Sequence, residues 1–269
     1  MQPEMCRRML KLLILQISDT HCLVPGQLLA GHFDTSAALE RLVESLSRQP
    51  VRPDVILHSG DLGENATRAE YAHIGSALRS LGAPVLAVPG NHDAREPLLA
   101  ELPEMVGKTS SGHLCQVNRD FPLAILGLDT LVEGAPHGEL CKERLAWLET
   151  QLDALAGQRV LIFMHHPPIR TGFQDMDRMG LLHGGPELEV LIARHGQVQA
   201  VLCGHMHRAI QGSIGGAPVR VAPSASHQIA FDLRPSEPYR LTAEPPQYMM
   251  HLWAGETLVS HSVFVEGAD

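Results

Sequence analysis

Five short motifs along the chain carry side chains that bind metal ions or transfer protons. Each follows a run of apolar residues and precedes a turn or a helix, which is where an α/β protein presents loops to its ligands. Carboxylate, amide and imidazole groups can together hold two divalent cations that share one carboxylate, and such a pair activates water and binds a phosphoryl group. The motifs are Asp19-Thr20-His21, Gly60-Asp61, Gly90-Asn91-His92-Asp93, His165-His166-Pro167-Pro168 and Gly204-His205-Met206-His207.

The spacing within three of the motifs indicates which side chains can share an ion. Residues two positions apart in extended backbone lie on one face, as in the Asp-x-His and His-x-His motifs. His165 and His166 are adjacent, so they point to opposite faces and only one of them is expected to be a ligand. Pro167 also forces His166 into an extended conformation.

The glycine motif combines a turn with polar groups. Gly90 permits a sharp turn, Asn91 offers an amide oxygen, and His92 is placed as a proton donor beside the ion. Asp93 is predicted to be the N-cap of the helix that follows. The motif is therefore expected to serve both the helix and the site.

Each motif taken alone has an ordinary structural explanation. Asp, Asn and Gly are common turn residues, an Asp-x-His segment after a strand is more often a turn than a metal site, and His58 is expected to be a sheet residue. The occurrence of all five motifs at strand ends is poorly explained by coincidence. Together they predict a metal centre.

The apolar pattern predicts the elements that position these loops. Strands and helices alternate up to Gly204, after which strands and turns predominate, and Gly215-Gly216 predicts a hairpin. The pattern favours two sheets flanked by helices. Strands are predicted at 12–17, 54–58, 84–88, 114–117, 123–128, 160–164, 198–203, 209–214, 219–223, 227–233, 248–253 and 257–265. Helices are predicted at 36–48, 68–81, 96–102, 142–155 and 186–195.

The proline-rich stretch 235–246 predicts where a C-terminal hairpin leaves the core. Residues 1–234 are accordingly predicted to be the catalytic domain, and residues 235–269 a strand extension that packs on the core or on a partner subunit. A hairpin offered to a partner in this way predicts a homodimer or a higher homo-oligomer.

Composition excludes several classes of partner. The 269 residues have a net charge of −9 and scattered cations, whereas binding to nucleic-acid polymers needs basic clusters. No apolar run approaches the roughly 18 residues of a membrane span.

Five Cys without a C-x-x-C pair predict free thiols and a cytoplasmic location. Arg7-Arg8 loosely resembles an export signal, but the first ten residues are interpreted as a loose leader.

The ordered set D-x-H, G-D, G-N-H-D, H and G-H-x-H resembles the calcineurin-like metallophosphoesterase superfamily, which includes the purple acid phosphatases. The set is complete from Asp19 to His207. Within the superfamily the chain looks most like the bacterial class III cyclic-nucleotide phosphodiesterases and their glycerophosphodiesterase relatives. The supporting segments are His165-His166-Pro167-Pro168, Met176-Asp177 and Ser226-His227-Gln228. The resemblance implies a four-layer α/β/β/α sandwich.

The resemblance also implies two ligand sets that share Asp61. The first metal would be held by Asp19, His21, Asp61 and His207, and the second by Asp61, Asn91, His165 and His205. His92 would bind the phosphate or protonate the leaving oxygen, and Asp93 would orient His92 or cap the helix. His166, His227 and Met176 are candidates for substrate contact. A mixed N/O donor set suits Mn, Fe, Zn or Co and does not choose among them.

The implied function is metal-dependent hydrolysis of small phosphodiesters, of the cyclic-nucleotide or glycerophosphodiester type, by a metal-bound hydroxide. Two alternatives use the same residues: a phosphomonoesterase or nucleotide pyrophosphatase, and a metal-binding scaffold without catalysis. Diesters are favoured because Arg95, Arg170 and Arg208 form no cationic cluster, and the apolar loop 169–185 is expected to supply a wall for the second ester group.

Overall fold

Two β-sheets lie at the centre of the computed structural model, which describes residues 12–235 and 237–267. The predicted leader in the first ten residues lies outside the described part. The strands are β1 (Leu12–Ile17), β2 (Val55–His58), β3 (Val85–Ala87), β4 (Gln116–Asn118), β5 (Ala124–Leu128), β6 (Gly138–Glu139), β7 (Val160–Met164), β8 (Leu181–His183), β9 (Val198–Cys203), β10 (Ile210–Ile214), β11 (Ala217–Val221), β12 (Gln228–Ile229), β13 (Leu241–Thr242), β14 (Gln247–Trp253) and β15 (Leu258–Phe264).

Six helices connect these strands in the described residues. They are α1 (Thr35–Ser47), α2 (Arg68–Ser80), α3 (Arg95–Glu101), α4 (Lys142–Ala154), α5 (Gln174–Asp177) and α6 (Gly185–Arg194). The N-terminus of α2 is fixed by a capping box, in which Thr67 accepts from the Glu70 backbone N–H and Glu70 accepts from the Thr67 backbone N–H. No described helix has both the length and the apolar character that crossing a bilayer requires.

Strand order explains how the loops come together. The first sheet has the order β15-β14-β1-β2-β3, and the second has the order β10-β11-β9-β7-β5-β4. β1, β2 and β3 run parallel to one another, and so do β5, β7 and β9. Parallel neighbours end at the same edge of a sheet, so the loops that follow them in each sheet form one cluster.

The two sheets pack face to face, with helices covering their outer faces. Leu12 and Ile14 of β1 lie between the sheets beside Phe163 of β7. Leu15 and Ile17, which point to the other side of β1, pack with α1 and α2. The second sheet buries its outer face against α4 and α6. The four-layer α/β/β/α architecture is therefore confirmed.

The C-terminal hairpin belongs to the first sheet. β14 pairs antiparallel with β1, so that His251 lies opposite Ile14, and β15 pairs with β14 as the outer strand of the sheet. Trp253 shares its core cluster with Leu12. The hairpin thus packs on the core of its own chain, and β15 leaves one edge of the sheet open.

Most element predictions are confirmed to within a few residues, and β1, β7 and β9 have the predicted bounds. The hairpin at Gly215-Gly216 is also confirmed, because Ile214 pairs with Ala217 across it. The strand predicted at 227–233 is wrong, since only Gln228–Ile229 pair in this segment. β6, β8, β13 and α5 were not predicted, and each of these elements has only two to four residues.

Candidate metal centre

The five motifs meet where the carboxyl ends of the two sheets face each other. Asp19 and Asp61 follow β1 and β2 of the first sheet, and His165 and His205 follow β7 and β9 of the second. The sheets are joined here directly, because the His205 backbone N–H lies 3.1 Å from both carboxylate oxygens of Asp19. The ring of His205 also lies against the ring of His165, with 5.1 Å between their centroids.

Backbone strain is concentrated in these loops. Seven non-glycine residues of the described chain have positive φ, and five of them belong to the motifs. These five have φ values of 53° (Asp19), 42° (His21), 54° (Asp61), 71° (His205) and 49° (His207). The left-handed region is costly for residues with a Cβ and is common at functional sites.

Two glycines are required because other groups approach them closely. A Cβ at Gly90 would lie 2.1 Å from Oδ1 of Asp61, and a Cβ at Gly60 would lie 2.4 Å from Nδ1 of His165. Both contacts are far inside van der Waals distance. Gly60 also has φ of 99°, a conformation that favours glycine.

The candidate ligand atoms form two groups that share Asp61. In the first group, Nε2 of His21 lies 3.5 Å from Oδ2 of Asp61, and Nε2 of His207 lies 3.1 Å from Nε2 of His21. Nε2 of His207 is also 3.4 Å from Oδ1 of Asp19. These three contacts bring the first predicted ligand set together.

The second group lies on the other side of the same carboxylate. Nε2 of His165 lies 3.3 Å from Oδ2 of Asp61 and 3.1 Å from Oδ1 of Asn91. Oδ1 of Asn91 is also 3.0 Å from Nδ1 of His205. The carboxylate of Asp61 is thus the point at which the two groups of donor atoms meet.

Hydrogen bonds on the far side of three rings fix their tautomers. Nδ1 of His165 donates to the carbonyl oxygen of Ser59 at 2.8 Å, and Nδ1 of His207 donates to the carbonyl oxygen of His227 at 2.9 Å. Nδ1 of His21 lies 2.7 Å from the carboxylate of Glu64. Nε2 of each ring is thereby the nitrogen that faces the centre, which is the usual arrangement of metal-binding histidines.

The carboxylates of the centre are ionised at neutral pH. Burial acts to raise the pKa of Asp61, but the rings of His165, His92 and His21 together hold this pKa well below the ordinary value. For Asp19 burial is likewise opposed by His207, and the pKa is lowered. Buried anionic oxygens surrounded by imidazole nitrogens form a donor set that fits divalent transition metals.

His92 lies beside the first ligand group, with its ring centroid 4.7 Å from that of His21, but it belongs to neither predicted ligand set. Its side chain is 37% exposed, and Nδ1 lies 3.3 Å from the Glu64 carboxylate and 3.2 Å from the Glu64 carbonyl oxygen. Burial acts to lower the pKa of His92, but Glu64 and Asp61 outweigh it and raise this pKa to about 10. Contact with Glu64 therefore favours the protonated form of the His92 ring.

Sequence reasoning missed Glu64. Its carboxylate contacts both His21 and His92. Burial acts to raise the pKa of Glu64, but these two rings outweigh it and lower the pKa to about 2. The available signal was its position in the Gly60-Asp61-Leu62-Gly63-Glu64 run, as the first acidic residue after Asp61. Glu64 orients one predicted ligand and the predicted proton donor at once.

The predicted structural roles of Asp93 are wrong. The N-cap of α3 is Ala94, and the nearest carboxylate to the His92 ring is that of Glu64. The Asp93 carboxylate instead accepts hydrogen bonds from three backbone N–H groups and from the Tyr71 hydroxyl. The three backbone donors belong to Leu62, Gly63 and Gly90. Asp93 thus ties the loop that carries Asp61 to the loop that carries Asn91.

A cavity of about 160 Å³ opens onto the centre. Met176 and His227 line it, as expected of substrate contacts, and so does Met179 of the 169–185 loop. Burial and the neighbouring His207 lower the pKa of His227 to about 2, so its ring is neutral.

His166 was predicted to contact the substrate, but the structure places its side chain away from the cavity lining. The side chain is fully buried, and its ring centroid lies 4.6 Å from that of His205, behind the centre. Nδ1 of His166 accepts from the hydroxyl of Thr130 at 2.8 Å, and Nε2 donates to the carbonyl oxygen of Pro136 at 3.3 Å. His166 is therefore a packing residue behind a predicted ligand.

Comparison with known proteins relates this arrangement to characterised sequences. A family model described as calcineurin-like phosphoesterase matches residues 12–209. A probable glycerophosphodiester phosphodiesterase of Arcobacter nitrofigilis is 35% identical over 255 residues, which are 94% of this chain and 93% of the relative. A probable cyclic nucleotide phosphodiesterase of Rhodopseudomonas palustris is 35% identical over 91% of this chain and 89% of its own. The 3',5'-cyclic adenosine monophosphate phosphodiesterase of Escherichia coli K12 is 30% identical over 80% of this chain and 76% of its own.

Solved structures share the architecture at low sequence identity. A dimetal phosphatase from Danio rerio has a TM-score of 0.63 and 14% identity, over 96% of this chain and all of the other. A purple acid phosphatase from yellow lupin has a TM-score of 0.68 and 12% identity, over 96% of this chain and 52% of the other. These likenesses show the fold.

Proposed function

The chain belongs to the calcineurin-like phosphoesterase family, and from this we propose that it is a metal-dependent hydrolase of small phosphodiesters with a binuclear centre. The observation that carries the proposal is the convergence of two groups of donor atoms on the carboxylate of Asp61. A carboxylate that served only one metal ion would need candidate ligands on one side, whereas Asp61 has a group of them on each side.

We assign the ligands as the sequence predicts. By the family resemblance, the first ion would be held by Asp19, His21, Asp61 and His207, and the second by Asp61, Asn91, His165 and His205. When bound, such a pair polarises phosphoryl oxygens and lowers the pKa of water. The N/O donor set accepts Mn, Fe, Zn or Co.

His92 is proposed as the proton donor to the leaving oxygen. Glu64 holds its Nδ1 side, so Nε2 is the nitrogen free to face a substrate in the cavity that His92 lines. A positioned donor of this kind assists departure of a poor leaving group most. Glu64 keeps the ring both oriented and protonated.

The charge distribution supports diesters over monoesters. None of the described residues that line the cavity is Lys or Arg. Arg95 is engaged with Asp129 at 2.6 Å, and Arg208 with Glu244 at 3.1 Å. A dianionic monoester gains most from cationic side chains that neutralise its second charge, whereas a monoanionic diester needs fewer of them.

We expect matched substrates to reveal this preference. Values of kcat/KM should be higher for bis(4-nitrophenyl) phosphate than for 4-nitrophenyl phosphate, and higher for a cyclic nucleotide than for its monophosphate product. The reason is that no Lys or Arg is among the described residues that line the cavity. The measurement is steady-state kinetics, with metal analysis of the protein as purified. Monoester preference in both pairs would favour the phosphomonoesterase alternative on the same site.

We further propose that the chain forms a homodimer through β15. This strand is the open edge of the first sheet, and its Val259 and Phe264 are 44% and 60% exposed. An unprotected edge strand is a template for pairing with another chain. Light scattering at micromolar concentration should give the mass of a dimer for the wild type and of a monomer for Val259→Lys. A monomeric wild type would contradict the proposal.

A further inference from the structure

The cavity lining includes a group of apolar residues besides the candidate ligands. Five of them, which we call the apolar wall, lie on α5, in the loop after it and in the β12–β13 hairpin. They are Met176, Met179, Ile229, Tyr239 and Leu241. Two segments about 50 residues apart in sequence build the wall, the one with Met176 and Met179 and the hairpin with Ile229, Tyr239 and Leu241, so the wall exists only in the folded chain.

Hydrogen bonds hold the wall in place. The backbone N–H of Tyr239 donates to the carboxylate of Asp175 in α5 at 3.1 Å. Ile229 pairs with Leu241 between β12 and β13, and the Ala230 backbone N–H donates to the Arg240 carbonyl oxygen at 2.8 Å. The hairpin that carries Tyr239 is thereby fixed to the helix that carries Met176.

Tyr239 packs against the protein over only part of its surface, and 47% of the residue remains exposed. A half-exposed aromatic ring at the mouth of a cavity is available to a ligand. Phe231 of the same hairpin is 65% exposed, but it packs against Phe173 at 5.6 Å between ring centroids and does not line the cavity. Tyr239 is thus the aromatic residue that the wall presents.

We propose that the wall binds an aromatic ester group of the substrate, such as an aryl ring or a nucleobase, and that Tyr239 determines this specificity. The proposal rests on the proposed phosphodiesterase function. Aromatic rings contact tyrosine and the thioether sulfur of methionine favourably. A small polyol ester would instead lose hydration against Ile229 and Leu241 without polar groups to replace it.

Two diesters with one leaving group isolate the contribution of the wall. Phenyl 4-nitrophenyl phosphate and ethyl 4-nitrophenyl phosphate both release 4-nitrophenolate and differ in the retained ester. The ratio of their kcat/KM values should fall about tenfold in Tyr239→Ala, the loss that corresponds to one stacked ring. Tyr239→Phe keeps the ring and should keep the wild-type ratio. Comparison of ratios between variants cancels the different intrinsic reactivities of the two esters.

Binding provides a readout that does not depend on turnover. Calorimetric titration of the metal-loaded protein should give a Kd for diphenyl phosphate that is about tenfold weaker in Tyr239→Ala, with a much smaller change for diethyl phosphate. Leu182→Ala is the matched control, since Leu182 is also 47% exposed but lies outside the cavity. Both ratios should be unchanged in that variant.

The outcomes separate this inference from the proposed function. If the wild type hydrolyses neither ester, the phosphodiesterase proposal fails and the calorimetric comparison alone decides the role of Tyr239. If it hydrolyses both and Tyr239→Ala keeps the wild-type ratios, the inference about the wall is overturned while the phosphodiesterase proposal stands. Loss of the preference in Tyr239→Phe would likewise overturn it, because the hydroxyl would then be the recognition group.

Discussion

Replacing Asp61 with Ala should remove both metal ions from the protein and nearly all of its activity. The carboxylate lies 3.5 Å from Nε2 of His21 and 3.3 Å from Nε2 of His165, so one substitution takes an anionic ligand from each group. We expect kcat/KM to fall by more than about a thousandfold, because a metal pair contributes several kcal/mol of transition-state stabilisation. Metal content per chain, measured by mass spectrometry, should fall from two toward zero.

Two further variants make this result interpretable. Asp153→Ala removes a carboxylate on α4 that is 69% exposed, and it should keep both ions. Asp61→Asn preserves the shape of the side chain if the alanine variant does not fold, and should lower affinity at both sites together. Retention of two tightly bound ions and normal activity in folded Asp61→Ala would overturn the shared-ligand assignment.

Replacing His92 with Ala should lower kcat by roughly 10²–10⁴, which is the usual contribution of a positioned general acid. Metal content should stay near that of the wild type, because Nδ1 of His92 contacts Glu64 and the ring is in neither ligand group. The loss should shrink as the leaving group improves, since a good leaving group needs less protonation. The measurement is kcat for a series of aryl diesters of increasing leaving-group pKa.

His73→Ala is a suitable control for this experiment. His73 lies on α2, where Nε2 is 2.9 Å from the hydroxyl of Ser36, remote from the cavity lining. Its loss should leave the leaving-group dependence unchanged. Equal loss of activity for good and poor leaving groups in His92→Ala would show that His92 positions the substrate and does not donate a proton.

The centre of the fold was predictable because its strands are buried on both faces. The segments 12–17 and 160–164 are nearly continuous apolar runs, as is typical of parallel strands. Polar residues directly after such runs must lie at the sheet edge, which made the positions of Asp19 and His165 predictable. The ligand assignments themselves came from the family resemblance and stay a prediction.

Other features depended on contacts that a single sequence does not reveal. In the sequence Glu64 is an ordinary acidic residue, and only the fold places it in contact with both His21 and His92. Asp93 has the sequence context of an N-cap, but three backbone N–H groups of two neighbouring loops and a tyrosine hydroxyl compete successfully for its carboxylate. Tyr239 lies within the proline-rich stretch 235–246, which has no periodicity, so only the tertiary structure places it at the cavity.

The assembly of the centre from both sheets has a consequence for folding. His21 and His207 lie 186 residues apart in the chain, yet their rings are in contact. No partial chain that lacks either sheet holds a complete ligand set, so uptake of the ions reports that the two halves have docked. Because ligands that bind only the native state stabilise it, ions bound at the proposed centre would cross-link the two sheets, and a newly made chain would complete its ligand sets only after both sheets have formed.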